Sequence, residues 1–337
     1  MPWCSRLSSL DPERQSQSIQ ERMPQGLIPL LASLGWNSFD DWWNRWEREG
    51  GLDFARNQWN VTVDDDWITF VALPLLSRVE RALQSGQQVV LGVSALPGCG
   101  KSTLCSWIKA ASERLGWPVE HLSLDDYYWP SKQLEESMRG NPWFVPRALP
   151  GSHDIDELIR SFLSWREGGS LRAPRFDKSL RNGRGDRSGV SDSYPSVVLM
   201  EGWFLGATPR PSIEKEVLDA LSEQELIWRS RSIALLRDYQ GIWSLLDDLW
   251  HLRAIQNHQS SRWKQEQLIT LEQRSGIGYS DRNLSDFNRM VLAALPPSWL
   301  QQLSTSSVVM DLTESRQVRE IHLMRSQLSA SSSSATG

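Results

Sequence analysis

Apolar and polar positions follow two different rhythms along this chain, and the change near Gln87 divides it. From about residue 10 to about 85 the spacing is helical: Phe39, Trp42, Trp43 and Trp46 recur at three and four residues and share one predicted helix face. Asp64-Asp65-Asp66 interrupts this stretch. Adjacent side chains point in different directions, so the triplet reads as a solvated turn before a helix starting near Trp67, not as a metal cluster. Beyond Gln87, Val89-Val90-Leu91-Gly92-Val93 is a short β-branched run suited to a buried parallel strand. A glycine turn follows, then a predicted helix from Ser102 to Leu115, ended by Gly116-Trp117-Pro118. Val119 to Leu124 reads as a second strand. His153-Asp154 open a periodic helix whose stripe is Ile155, Leu158, Ile159, Phe162 and Leu163, stopped by Gly168-Gly169. Val197-Val198-Leu199-Met200 is a third buried strand, the region from 214 to 300 reads as mostly helical, and Val308-Val309-Met310 is a last strand. Strands alternating with helices predict an α/β fold with a parallel sheet between helical layers. The expected organisation is a helical N-terminal region over 1–85, an α/β domain over 86–328 and a disordered, serine-rich tail over 329–337.

Composition narrows the class without changing that picture. A length of 337 residues with 39% hydrophobic and 23% charged positions supports a real core and excludes a wholly disordered chain. A net charge of −5 argues against a basic nucleic-acid footprint. No apolar run approaches the ~18–20 residues of a membrane span, and the first residues lack the order of a signal peptide. Three cysteines form neither a disulfide framework nor a metal-ligand spacing. The expectation is a cytoplasmic protein that binds no nucleic acid and no membrane. The eighteen tryptophans read as packing material.

The sharpest chemical signal is Ala95-Leu96-Pro97-Gly98-Cys99-Gly100-Lys101-Ser102-Thr103, between a buried strand and a helix, where a Walker A loop belongs. Glycines let consecutive backbone N–H groups face a phosphate, and the helix N-terminus adds positive potential. Lys101 can reach the terminal phosphates, and the Ser102 hydroxyl can join a Mg²⁺ shell. Ala95 stands where the motif's first glycine belongs, and Cys99 reads as a small filler. The carboxylates narrow the reading. Asp125-Asp126-Tyr127-Tyr128 ends the second strand, on the side where α/β sheets bind ligands, so Asp125 is the candidate base for an attacking hydroxyl. One of the two adjacent aspartates can instead cap a helix, and the Asp126 side chain would leave a strand on the face opposite Asp125. Glu201, after the third strand, is placed like a Walker B carboxylate for Mg²⁺. Gly151-Ser152-His153-Asp154 before the periodic helix can serve substrate, cap the helix, or both. Pro174-Arg175-Phe176-Asp177-Lys178-Ser179 leads into Arg181-Asn182-Gly183-Arg184-Gly185-Asp186-Arg187, a predicted mobile loop whose arginines suit a carboxylate.

Taken in order, the P-loop, Asp125-Asp126-Tyr127-Tyr128, Pro150-Gly151-Ser152-His153-Asp154, Arg175-Phe176-Asp177-Lys178-Ser179, Gly185-Asp186-Arg187 and Glu201-Gly202-Trp203 resemble plant-type D-glycerate 3-kinase. That family stands with phosphoribulokinase, uridine kinase and pantothenate kinase among P-loop kinases. The resemblance runs from about 88 to about 312. It implies an ATP- and Mg²⁺-dependent transfer of a phosphoryl group to the 3-hydroxyl of the small molecule D-glycerate, with photorespiratory glycerate recycling or an equivalent route as its setting. By carry-over, Asp125 matches the catalytic base and Lys101 the phosphate lysine. Tyr128, His153, Asp154, Arg184 and Arg187 fall on the substrate side, and Arg262-Trp263-Lys264 resembles the start of a basic lid helix that would bring Arg262 to ATP. Two other readings stay open. One is a kinase for a nucleoside, pantothenate or a sugar phosphate, with Tyr127, Tyr128 and Phe176 available to a base; the other is a nucleotide-dependent regulatory P-loop protein.

Overall fold

The computed structural model describes residues 19–58, 64–209, 218–256, 258–275, 281–303 and 305–324; the tail from 329, and the start of the helical region before 19, lie outside the described residues. Helices α1 (Leu27–Ser33), α2 (Phe39–Arg48), α3 (Gly51–Gln58) and α4 (Leu73–Gln84) precede the first strand. The predicted aromatic face of α2 is buried in full, and Ser38 caps the helix. The Trp42 and Trp46 indole N–H groups both donate to the Ser77 hydroxyl of α4, at 2.8 and 2.9 Å, so two large rings are buried with their polar atoms satisfied. Asp64 caps the short helical turn at Asp65–Trp67, and Asp65 and Asp66 pair with Arg56 and Arg22, which fits a turn and not a metal cluster.

The sheet has six strands in the order β2-β5-β1-β6-β7-β8. Its strands are β1 (Val89–Ala95), β2 (Val119–Ser123), β5 (Val197–Gly202), β6 (Asp248–Ala254), β7 (Val308–Leu312) and β8 (Val318–Leu323). All neighbours pair parallel except β7 and β8. A separate antiparallel pair is formed by β3 (Leu171–Asp177) and β4 (Asp186–Ser193). The other helices of seven or more described residues are α5 (Lys101–Arg114), α6 (Ser131–Ser137), α7 (Ile155–Arg166), α8 (Glu223–Leu235), α9 (Gln259–Ser275) and α10 (Asp281–Ala294). Buried residues from Ile19 to Ile321 form one continuous apolar core, so the N-terminal helices share it with the sheet. Among the described residues no helix is long and apolar enough to cross a membrane.

The α/β class, the three strands around the P-loop and the N-terminal helices agree with expectation. Three features do not. The stretch from 214 to 300 is mostly helical as expected among its described residues, but it also contains an unforeseen central strand, β6, whose Asp248 and Arg253 obscure the apolar run. Inside the fold Asp248 is neutralised by Arg78 at 2.7 Å and Arg253 by Asp311. The predicted mobile loop is largely a hairpin, with Arg187 on β4. On α7 the buried face is Leu158, Ser161, Phe162 and Trp165, whereas Leu163 is 46% exposed. Trp165 wins because its indole N–H reaches the Pro195 carbonyl at 2.8 Å.

Candidate active site

β1 runs between β5 and β6, and the loop after it opens α5. Ala95 is fully buried at the end of β1, paired with Leu252, and thus belongs to the strand. Gly98 and Gly100 have φ of +81° and +98°, a region that side chains strain to enter. At Gly98 a Cβ would also lie 2.4 Å from the backbone nitrogen of Lys264, because α9 rests directly on the loop. Pro97 and Cys99 are buried, Thr103 is exposed, and burial pushes the Cys99 thiol up to about 12, as suits a filler. Lys101 and Ser102 begin α5, and the Ser102 hydroxyl donates to Glu201 Oε1 at 2.7 Å. Lys101 Nζ is 3.4 Å from Glu201 Oε2. Parallel pairing of Val93 with Glu201 brings this carboxylate beside the loop. Burial opposes its charge, yet Lys101 keeps its pKa below the ordinary glutamate value. Oε2 is buried and makes no hydrogen bond. An ionised carboxylate with a spare lone pair beside a hydroxyl is a hard-oxygen donor set that fits Mg²⁺.

Asp125 and Asp126 lie in a 3₁₀ turn, Leu124–Tyr127, and not on a strand. Their roles separate for that reason. The Asp126 carboxylate accepts the Ser123 N–H at 3.0 Å in a capping box and stands 3.6 Å from Arg175. Asp125 instead faces the P-loop, where Lys178 Nζ donates to its Oδ2 at 2.6 Å. Burial would raise the Asp125 carboxyl, but Lys178, with His153 and Lys101 nearby, holds it well below the usual range. Burial and the neighbouring Asp125 charge push the Tyr128 hydroxyl well above the ordinary phenol value. Its ring stacks on His153 at 4.5 Å and meets Phe176 edge-on at 5.0 Å.

Of the predicted residues, Lys101, Ser102, Glu201, Asp125, Tyr128 and His153 converge. Asp154 caps α7 by accepting the Glu157 N–H at 2.9 Å. Arg187 donates to Glu157 at 2.5 Å and to the Tyr128 carbonyl at 2.9 Å, and lies 3.8 Å from Asp154, so these two support the turn from behind. Arg184 is 60% exposed near Glu135, and Arg262 points outward to Glu266 and Glu314. Lys264, whose backbone rests on Gly98, is the lid cation within electrostatic reach of the site; its Nζ donates to Gln267 at 3.1 Å, and burial, with repulsion from Lys178 and Lys101, lowers its pKa to about 8. Sequence reasoning gave no role to Lys178, although it lies inside the quoted Arg175–Ser179 motif. It also passed over Arg147 and Tyr239, which carry no local signal. The Arg147 guanidinium lies over Phe176 and donates to the carbonyls of Gly183 and Arg184 at 2.9 Å, tying the hairpin tip to the site.

A P-loop on a parallel sheet, a carboxylate beside its serine and lysine, and an ionised aspartate facing both define a P-loop kinase. The sequence comparisons agree. The chain is 31% identical over 218 residues to the uncharacterized kinase mug58 of Schizosaccharomyces pombe, covering 60% of this chain and 78% of that protein. It is 30% identical over 221 residues to the chloroplastic D-glycerate 3-kinase of Arabidopsis thaliana, covering 61% of this chain but 46% of that longer protein. The protein therefore belongs to the family of P-loop kinases that holds these two relatives. No family model matches the sequence. Among solved structures, a D-glycerate 3-kinase from Cryptococcus neoformans superposes with a TM-score of 0.59 at 20% identity, over 74% of this chain and 96% of that one. The YGR205w protein does so with the same score and identity, over 74% and 95%. These two likenesses show the fold.

Proposed function

We propose that the protein is an ATP- and Mg²⁺-dependent kinase that phosphorylates the 3-hydroxyl of D-glycerate, giving 3-phosphoglycerate and ADP. One observation supports an anionic acceptor such as glycerate above a neutral one such as a nucleoside. Lys101, Lys178 and Lys264 act on the two carboxylates, Asp125 and Glu201, and a fourth cation, Arg147, stands close enough to act on Lys178 and Lys264. That surplus of two positive charges favours an anionic acceptor as well as a polyphosphate. The aromatic rings that would serve a nucleoside are already committed: Tyr127 is buried, and Tyr128 and Phe176 pack on each other. The relative from A. thaliana is named for D-glycerate as its substrate.

In this reading the loop amides from Gly98 to Ser102 and the Lys101 ammonium hold the phosphates. Ser102 and Glu201 would hold Mg²⁺, which when bound would neutralise charge on the phosphate oxygens. Asp125 takes the proton as the 3-hydroxyl oxygen bonds to the γ-phosphorus, and the bond to the bridging oxygen breaks to release ADP. Lys178 and Lys264 offset the charge spread over the transferring group. Purified protein incubated with ATP-Mg²⁺ and separately with D-glycerate, pantothenate, uridine and ribulose 5-phosphate tests the proposal by mass spectrometry of the products. Conversion of glycerate to 3-phosphoglycerate is expected, and preferential phosphorylation of another acceptor overturns it.

A further inference from the structure

Tyr239 lies in the turn before Gln240, far in sequence from every motif of the site, yet it is completely buried there. Its ring packs between Phe204 at 5.2 Å and Trp243 at 5.7 Å. Its hydroxyl has two partners. It accepts the Gly151 N–H at 3.0 Å, and it stands 2.7 Å from His153 Nδ1. A phenol has one proton to give. Among the described residues the only other hydrogen-bonding group near Nδ1, the Ser152 hydroxyl at 3.5 Å, already donates to the Leu149 carbonyl. If Nδ1 carried a proton, the phenol proton would be left buried without an acceptor, at a cost of about 1–3 kcal/mol. Donation from Tyr239 to Nδ1 satisfies the phenol and Nδ1 together and leaves Nε2–H as the one unpaired group of the pair.

We infer that Tyr239 is a positioning residue that fixes His153 as the Nε2–H tautomer, so that this imidazole presents a hydrogen-bond donor to an oxygen of the acceptor substrate. Burial keeps the ring neutral at pH 7, lowering His153 to about 4. Nε2 is buried and makes no hydrogen bond, and the charged groups that act on the ring are Asp125 and Lys178, the base and its cation. A neutral N–H donor there suits a carboxylate or hydroxyl oxygen and disfavours a cationic acceptor. The ligand half of the inference rests on the proposed acceptor site; the tautomer half does not.

The test is the tautomer itself, read from long-range ¹H–¹⁵N spectra of ¹⁵N-histidine-labelled protein at pH 7. The chain has five histidines, and loss of one signal set in His153→Gln assigns the one that matters. The expected wild-type spectrum shows Nε2 protonated and Nδ1 bare. In Tyr239→Phe, which keeps the ring, the signal should move toward the Nδ1–H form. The KM for the acceptor should rise about tenfold, the scale of one hydrogen bond, with the KM for ATP unchanged. His153→Gln, whose amide can still donate near the Nε2 position, should retain more acceptor affinity than His153→Asn. An Nδ1–H tautomer in the wild type, or an unaltered tautomer and acceptor KM in Tyr239→Phe, overturns the inference. The wild-type spectrum decides alone should the variant not fold. If another acceptor is phosphorylated while the Nε2–H form is observed, the glycerate reading fails and the tautomer stands.

Discussion

The two halves of the proposed cleft, one for nucleotide and one for acceptor, are built in different ways. The nucleotide half is contiguous: seven consecutive residues, Pro97 to Thr103, supply amides, ammonium and hydroxyl, and only Glu201 comes from elsewhere. The acceptor half is assembled from five segments, bringing Asp125 and Tyr128, Arg147, His153, Lys178 and Tyr239 together across more than a hundred residues. The first half is fixed by local backbone geometry. The second depends on a hairpin lying across the sheet's edge and on buried rings that hold one another. Lesions should therefore separate cleanly into those that move nucleotide affinity and those that move acceptor affinity or chemistry.

The strongest way to sharpen that division is Asp125→Asn. It should lower kcat by ~10²–10⁴-fold with ATP affinity unchanged, because an amide cannot take the hydroxyl proton. Single-turnover rates and nucleotide titrations at fixed Mg²⁺ measure both. Lys101→Ala should cost ~10²–10³-fold in kcat/KM, and here ATP binding should weaken as well, with the far-ultraviolet spectrum intact. If Asp125→Asn weakens ATP binding as much as Lys101→Ala does, the two halves are not separable.

Lys178→Gln probes the acceptor side through pH. It should reduce kcat/KM about ten- to a hundredfold, the scale of a lost charged hydrogen bond. It should also move the acidic limb of the pH profile upward, because Lys178 holds the Asp125 carboxyl low and burial alone would raise it. An unmoved limb would dissociate Lys178 from the base.

Stability offers a further contrast. Burial lowers His153 and His251 to about 4, from an ordinary value near 6.5. Below about pH 6.5 the unfolded chain takes up protons that these folded rings refuse, so stability should fall as pH drops from about 6.5 toward 4. The loss should be about 1 kcal/mol per ring at pH 5.5. Urea titrations at pH 7.5 and 5.5 check it, and His251→Leu should remove about half. The smallest expected effect is Asp126→Asn. It weakens a cap worth about 1 kcal/mol and should leave kcat within a few-fold, because that side chain is spent on Ser123 and Arg175. A larger kinetic loss than that of Asp125→Asn would move the base to Asp126.

What the sequence determined by itself is what short-range rules encode. A β-branched run, two glycines, a lysine and a serine specify strand, phosphate loop and helix, because positive φ and helix-terminal N–H groups are properties of a few adjacent residues. The aromatic face of α2 was equally legible, since its period is written in Phe39, Trp42, Trp43 and Trp46. The relation of Asp125 to Asp126 was not, because a 3₁₀ turn replaced the strand geometry and a capping box claimed one carboxylate. Strand β6 stayed hidden because its charged residues find partners only across the fold, Asp248 on α4 and Arg253 on β7. Lys178 on Asp125, Lys264 and not Arg262 within electrostatic reach of the site, and Tyr239 on His153 were decided by tertiary structure alone. Each is a hydrogen bond or charge contact between residues tens of positions apart, and such contacts exist only once the core has brought their elements within reach.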